Sequence, residues 1–396
     1  MTQLDSSGKD LSFSLVRGDP WFRLQRAIGL IPSTGLGIVR RCVALALITW
    51  LPIAIWAVLW HRAFPGEVAE PLLQHFGVHV RCLLAIPLLV GAELLGDLLP
   101  QRLVPYFVTS GLVPEEARSQ FVQILRAAGR LRDAWPAWAS MLGITLFVVV
   151  LGYHDSAHLH ELVWASTDSG DRPSLGFGGL WFLFVFRPVF VILLLAWVWR
   201  LVVCGVLLWQ ISRLDLQLVP THPDRVGGLG FLEDIPLIFS PVVFAMSAVI
   251  ASRWAHEVLY HGVDVNSFKS PLAVFVVTML VLYLAPLASF TGRLRRLKQR
   301  SLLDYGALVG EHGRLVRRRW IAGEEITEVP LLQAVELGPV IDTVSMYEVV
   351  AGVRTTPIGK RSLLAIGLPA LLPMIPLWAI QIPIKEMLLT LLKALS

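Results

Sequence analysis

The sequence predicts an all-α fold: a polytopic transmembrane helical bundle of about seven spans, with the N-terminus inside and a basic amphipathic cytoplasmic helix. Three observations carry this. The chain is 55% hydrophobic and only 16% charged, where a soluble domain is nearer a quarter charged. Apolar stretches of roughly membrane-crossing length, about 20 residues, recur along it. Its basic residues are distributed unevenly among the intervening loops. The 14 tryptophans fit the same picture, because indole rings favour membrane interfaces.

The elements follow in order. Residues 1–41 form a cytoplasmic or interfacial N-terminal segment. Its first nine residues are polar. The stretch 13–31 mixes Trp21, Phe22, Leu24, Ile28 and Leu30 with Arg17, Arg23 and Arg26. That pattern suits an interfacial amphipathic helix or an irregular tail broken by Gly18, Pro20, Gly29 and Pro32. The first apolar run starts only near Cys42, and no small-residue cleavage site follows it, so a retained anchor is expected rather than a signal peptide.

Spans one to six fill a membrane domain over 42–292, at about 42–60, 78–98, 138–153, 179–210, 235–252 and 271–291. The third is the shortest. Residues 293–362 form a cytoplasmic basic helical excursion, and 363–396 hold the last span (to about 382) and an amphipathic tail. Between spans two and three, residues 114–132 place Phe121, Ile124, Leu125, Ala128 and Leu131 at helical spacing. After span six, Leu294, Leu297, Leu302, Tyr305, Leu308 and Trp320 recur at three- and four-residue steps. The opposite face carries arginines and Lys298. This reads as one amphipathic helix continuing from the sixth span, with Arg293–Arg319 against anionic lipid headgroups. Short helices are expected over 323–351.

With the N-terminus inside, 25 of the 34 lysines and arginines fall on inside segments and seven outside. That asymmetry sets the orientation. It also accounts for the net charge of +5 without nucleic acid, for which no motif is present. A protein partner remains open.

Ionisable residues inside apolar spans are the default functional candidates in a membrane protein. Glu93 and Asp97 share one face of span two at i and i+4. Arg187 and Arg200 lie in span four, Arg200 on the inner side with the two carboxylates and Arg187 on the outer. Depth alone pairs Arg200 with Glu93 or Asp97. Arg187-Pro188 suggests a kink.

Eight of the ten histidines fall on predicted outside loops or span ends: His61, His75, His79, His154, His158, His160, His256 and His261. His154, His158 and His160 form a loose, unspecific candidate set for metal; no metal or cofactor motif is present. The three cysteines, Cys42, Cys82 and Cys204, are scattered along the apolar segments and form no CxxC pair. No catalytic motif is present either, which argues against an enzyme. Gly228-Leu229-Gly230 lacks the third glycine of a dinucleotide fingerprint.

The inside connector between spans four and five, Thr221-His222-Pro223-Asp224-Arg225-Val226-Gly227-Gly228-Leu229-Gly230-Phe231-Leu232, is the densest run of special-conformation residues. Pro220 and Pro223 are expected to stop the fourth helix and the glycines to allow a tight turn. Asp234 suits an N-cap for span five. His222, Asp224 and Arg225 are the inside-face candidates, with backbone N–H groups forming an anion nest near Arg225.

This connector, with the preceding Pro220, and the C-terminal stretch from Met346 to Leu395 resemble a family of uncharacterised bacterial polytopic inner-membrane proteins. The resemblance implies a multi-pass location in the bacterial inner membrane and carries over no functional residue. The expected function is small-solute or ion transport, with a membrane scaffold or accessory subunit of an envelope complex as the alternative and a membrane sensor third. Transport requires Glu93, Asp97 and the arginines to line a common cavity. A scaffold requires them to pair off in a dry bundle, and a sensor requires the outside histidines to form a defined site.

Overall fold

A computed structural model describes residues 11–33, 35–66, 70–154, 160–165, 175–324 and 338–379, without the side chains of 160–162 and 338–341. Among the described residues the chain is all-helical with no β-strand. Among the same residues seven helical runs are long and apolar enough to cross a membrane, so the chain is a multi-pass membrane protein. We number the principal helices α1 Pro20–Ala27, α2 Ile38–Leu59, α3 Phe76–Thr109, α4 Arg118–Arg132, α5 Trp135–His154, α6 Phe177–Ser212, α7 Gly230–His261, α8 Val265–Ile321, α9 Gly338–Ala351 and α10 Lys360–Ala379.

Three helices form the centre. Half of the apolar window of α3 and of α6, and 61% of that of α7, is buried inside protein, against 17% in the run ending in α5. α3 packs against α2, α6 and α7, and α10 closes the far side against α7 and α8. The outer helices turn apolar stripes outward. Val274, Val277 and Val281 on α8 are each more than half exposed, at the i, i+3, i+7 spacing of one helix face. A water-soluble protein would not leave such a stripe bare; lipid covers it.

Prolines decide how the helices are joined. A proline has no N–H, so it frees the carbonyl four residues before it. In apolar surroundings that carbonyl needs another donor. Pro52 frees the Ile48 carbonyl, and Trp181 Nε1 donates to it at 2.9 Å. Pro100 frees Gly96, whose carbonyl accepts Leu15 N–H at 3.1 Å. The Arg132 carbonyl, left open where α4 ends, accepts from both Trp138 Nε1 and Trp199 Nε1 at 3.0 and 3.3 Å. Pro369 frees Ala365, which accepts from the Ser240 hydroxyl. Each helix break thus becomes a tie between segments. Pro87 and Pro188 are absorbed differently. A π-helical turn precedes each, at Val80–Ala85 and Phe182–Phe186, which relieves the clash of a proline ring with the turn before it.

Several boundaries differ from expectation. The third span is not short: α5 has 20 residues. The sixth continues as helix from Val265 to Ile321 into the basic excursion, through a 3₁₀ stretch at Ala285–Phe290. α4 buries Phe121, Leu125 and Ala128, part of the set its spacing marks. α6 ends at Ser212, well before Pro220, so neither Pro220 nor Pro223 stops it; the chain leaves the helix to bury Leu214 and Leu216. Gln217 N–H then donates to the Leu112 carbonyl at 2.8 Å. The last residues of the seventh predicted span and the C-terminal tail lie outside the described residues.

The N-terminal segment is neither a loose tail nor a helix facing only lipid. Leu11, Phe13, Leu15, Val16 and Phe22 are buried in the main core. Asp19 caps α1 by accepting Phe22 N–H at 2.6 Å. Gly96 allows this approach: a methyl there would press on Val16 and on the Trp197 ring.

Candidate functional site, a buried ion network

Glu93 is the middle of α3 and is fully buried. A carboxylate there needs cations and donors within reach. It has two. Arg41 Nη1, from the first turn of α2, donates to Oε2 at 2.5 Å. Arg200 Nη2, from α6, donates to Oε1 at 3.1 Å, the Arg200–Glu93 pairing that depth suggests. The same Nη2 reaches Asp19 Oδ2 at 2.9 Å. Arg41 Nε donates to Gln25 Oε1 at 2.6 Å, so the N-terminal segment supplies both Asp19 and Gln25. The Arg200 guanidinium also lies 4.8 Å from the centroid of the Trp197 ring, a cation–π contact.

Two carboxylates face two guanidiniums, and all four side chains are essentially inaccessible. The network is neutral as a whole. Burial pushes the Asp19 carboxyl above its ordinary value of 3.8, and the Arg200 charge opposes that rise. Arg200 Nε and Nη1, Arg41 Nη2 and Gln25 Nε2 have no acceptor among the described residues. The cluster is therefore richer in donors than in acceptors.

Asp97 belongs to a second pairing. It is 1% exposed and takes Arg17 in a fork, Nε at 2.8 and 2.9 Å and Nη2 at 2.8 Å. Gln101 adds a further bond at 2.8 Å. Arg200 pairs with Asp19 and Glu93 rather than with Asp97. A nearby cavity of about 30 Å³, lined by Phe13, Leu15, Leu103, Phe107, Leu208 and other apolar groups, touches no charged side chain.

Arg187 lies elsewhere, its guanidinium 5.9 Å from the Phe182 ring centroid and pressed against α5 at Gly152, where any Cβ would collide with it. The structure does not bring it to Glu93.

In the connector, Asp224 is its own answer to the nest. Its carboxylate accepts Val226, Gly228 and Gly230 N–H at 2.9, 3.2 and 2.8 Å, and His222 Nδ1 lies 2.9 Å away. The predicted anion nest is thus filled by the loop itself. Arg225 adopts a left-handed φ of 57°, and its carbonyl accepts Arg354 N–H at 2.7 Å. Asp234 is not an N-cap: it lies inside the 3₁₀ turn Gly230–Phe239 and pairs with Arg361 at 2.9 Å. Arg354 pairs with Glu233 at 2.7 Å. The connector is therefore stapled to the segment before α10 and to the first turn of α10.

The histidines regroup as well. His154 is exposed at the end of α5; His158 and the His160 side chain lie outside the described residues. His75, His256 and His261 converge instead, around Glu70.

Sequence reasoning found Glu93 and Arg200 but missed Asp19, Gln25, Arg41 and the Arg17 partner of Asp97. Arg17 entered as part of the mixed N-terminal stretch, and Arg41 only within the count of inside charges. Comparison with protein-family models, with curated proteins and with solved structures finds no match.

Proposed function

We propose that this protein sits in a bacterial inner membrane with its N-terminal segment and the basic part of α8 on the cytoplasmic side, and that it acts as a scaffold or accessory subunit of an envelope complex. The observation that carries this is the closure of the Glu93 network. Both Glu93 oxygens are occupied by arginines held from two other helices, and Asp19 balances the second of them. A carboxylate that hands on protons or cations must exchange partners with a passing solute; one locked between two guanidiniums serves to fix helix positions.

The shape of α8 supports the same reading. Its 57 residues span about 86 Å at 1.5 Å per residue, far more than the ~30 Å hydrocarbon core. The surplus carries Arg295, Arg296, Arg300, Arg314 and Arg317–Arg319 beside exposed Leu303, Trp320 and Ile321. Anionic headgroups suit the near part of that basic face, and the far part is the surface offered to a protein partner. Nothing in this reading calls for nucleic acid or for a reaction.

The test separates scaffold from transporter. Purified protein is placed in liposomes and proton flux is followed with an entrapped pH dye under an imposed gradient, alongside potassium flux under a potassium gradient. The scaffold reading expects both to equal protein-free liposomes, for the wild type and for Glu93→Gln. Flux in the wild type that Glu93→Gln abolishes, with the variant still folded, would reverse the conclusion.

A further inference from the structure

At the other end of the bundle, the loop before α3 and the end of α7 bring together four side chains that lie far apart in sequence. Glu70 Oε2 is 3.6 Å from His75 Nε2 and 3.8 Å from His256 Nε2. One ligand atom from each of Glu70, His256 and His261 lies within 4.8 Å of the others. The His75 and His256 rings are stacked, with centroids 5.4 Å apart, and the His256 and His261 centroids are 5.6 Å apart. Glu70 and His256 are mostly shielded, while His261 is exposed.

The distances do not describe a hydrogen-bonded cluster. Both carboxylate-to-nitrogen separations exceed the ~3.2 Å limit of a good N–H···O bond. They are close to the spacing of two atoms bound to one ion. Ligands about 2.1 Å from a tetrahedral zinc lie about 3.4 Å from each other.

The second ring nitrogen of His256 decides which way its lone pair points. Nδ1 is 3.1 Å from the Gln74 carbonyl, which can only accept. In the neutral ring Nδ1 therefore carries the proton, and Nε2, 3.8 Å from the Glu70 oxygen, keeps its lone pair. Two such acceptors side by side repel unless a cation lies between them, and the separation is too long for a shared proton. A histidine that gives its far N–H to a backbone carbonyl and turns its other nitrogen to a carboxylate is oriented as a metal ligand. Gln74 is held for this task by the 3₁₀ turn Leu72–Gln74.

We propose that Glu70, His256 and His261 bind a divalent first-row transition metal, with zinc the best match, and that His75 lines the same site. Imidazole with carboxylate suits such ions, and no thiolate takes part. Zinc binding here is independent of whether the bundle is a scaffold. It would give the protein a metal-responsive face at the end opposite the basic helix.

The test uses full-length protein in detergent, purified through a histidine-free tag, stripped with chelator and re-equilibrated with zinc chloride. Elemental analysis after gel filtration is expected to give one zinc per chain. Competition with a chromogenic chelator is expected to show at least about tenfold weaker binding for His256→Ala and for Glu70→Gln. His154→Ala should bind as the wild type does. His261→Ala, at an exposed helix end, gives the same reading should His256→Ala fail to fold, which gel filtration and tryptophan fluorescence will reveal. Cobalt should produce visible bands of a four-coordinate ion in the wild type and lose them in the variants. No zinc on the wild type, or binding unchanged in both Glu70→Gln and His261→Ala, overturns the site.

Discussion

Replacing Glu93 with glutamine tests the ion network directly. The substitution keeps the shape of the side chain and removes one negative charge. Arg200 then keeps Asp19, while Arg41 keeps only the neutral Gln25, and all of these side chains are buried. Removing one partner of a buried pair costs about 3–5 kcal/mol, because the remaining charge is stranded. An intact network does not add that much, since a buried ion pair and an apolar replacement of the same volume are often equivalent. Neutralising a cation as well should therefore recover much of the loss. Glu93→Gln combined with Arg41→Met is expected to be more stable than the sum of the two single changes, with a coupling of about 1–3 kcal/mol. Unfolding in mixed micelles of mild detergent and dodecyl sulfate, followed by tryptophan fluorescence, measures all four proteins. Additive effects within about 0.5 kcal/mol, or a single-variant loss below about 1 kcal/mol, would refute a closed charge balance at Glu93.

Four further outcomes follow from the same structure. Arg17→Ala should cost about 1–3 kcal/mol in the same titration, because Arg17 is half exposed but its partner Asp97 is 1% exposed and keeps only Gln101; a loss below about 0.5 kcal/mol would show that Asp97 does not need the pairing. Asp19 holds its proton more tightly in the folded chain than in the unfolded one. Its contribution to stability therefore declines as pH rises from the ordinary carboxyl range through its raised value, and Asp19→Asn should remove that part of the pH slope in thermal unfolding. Pro100→Ala returns an N–H to compete for the Gly96 carbonyl, so hydrogen exchange at Leu15 should quicken; unchanged protection would detach the N-terminal tie from Pro100. Asp224→Asn weakens the acceptor for three backbone N–H groups. It should destabilise the connector by about 1–3 kcal/mol, seen as faster proteolysis between residues 219 and 234.

The connector illustrates how a correct suspicion differs from a correct role. His222, Asp224 and Arg225 stand out in the sequence because a turn does not obviously require such side chains. In the structure Asp224 is what closes the turn, with Gly227 and Gly228 at left-handed φ of 68° and 97°. Glu233 in the same connector lies against Gly359, where a Cβ would displace the carboxylate from its present position. The pairing of the connector with Arg354 and Arg361 joins two segments whose proximity no local pattern encodes.

The sequence by itself determined the class of protein and the existence of a charged site. Apolar runs of fixed length must be helices in lipid, since every backbone polar group has to be satisfied within its own segment. A carboxylate and an arginine inside such runs, Glu93 and Arg200, must meet partners. Which partners was decided only by tertiary structure. Arg41 and Arg17 look like orientation charges at a membrane edge, and Asp19 looks like part of a polar tail. Asp19 and Arg17 reach their partners because Pro100 leaves the Gly96 carbonyl open and Gly96 leaves room for Val16, which draws the N-terminal segment into the bundle, and Arg41 reaches Glu93 because α2 packs on α3. The Glu70, His256 and His261 cluster is illegible for the same reason. Periodicity reports which face a residue takes on its own helix. It does not report which loop lies beside that face, and that neighbour is what makes a scattered carboxylate and two histidines into a site.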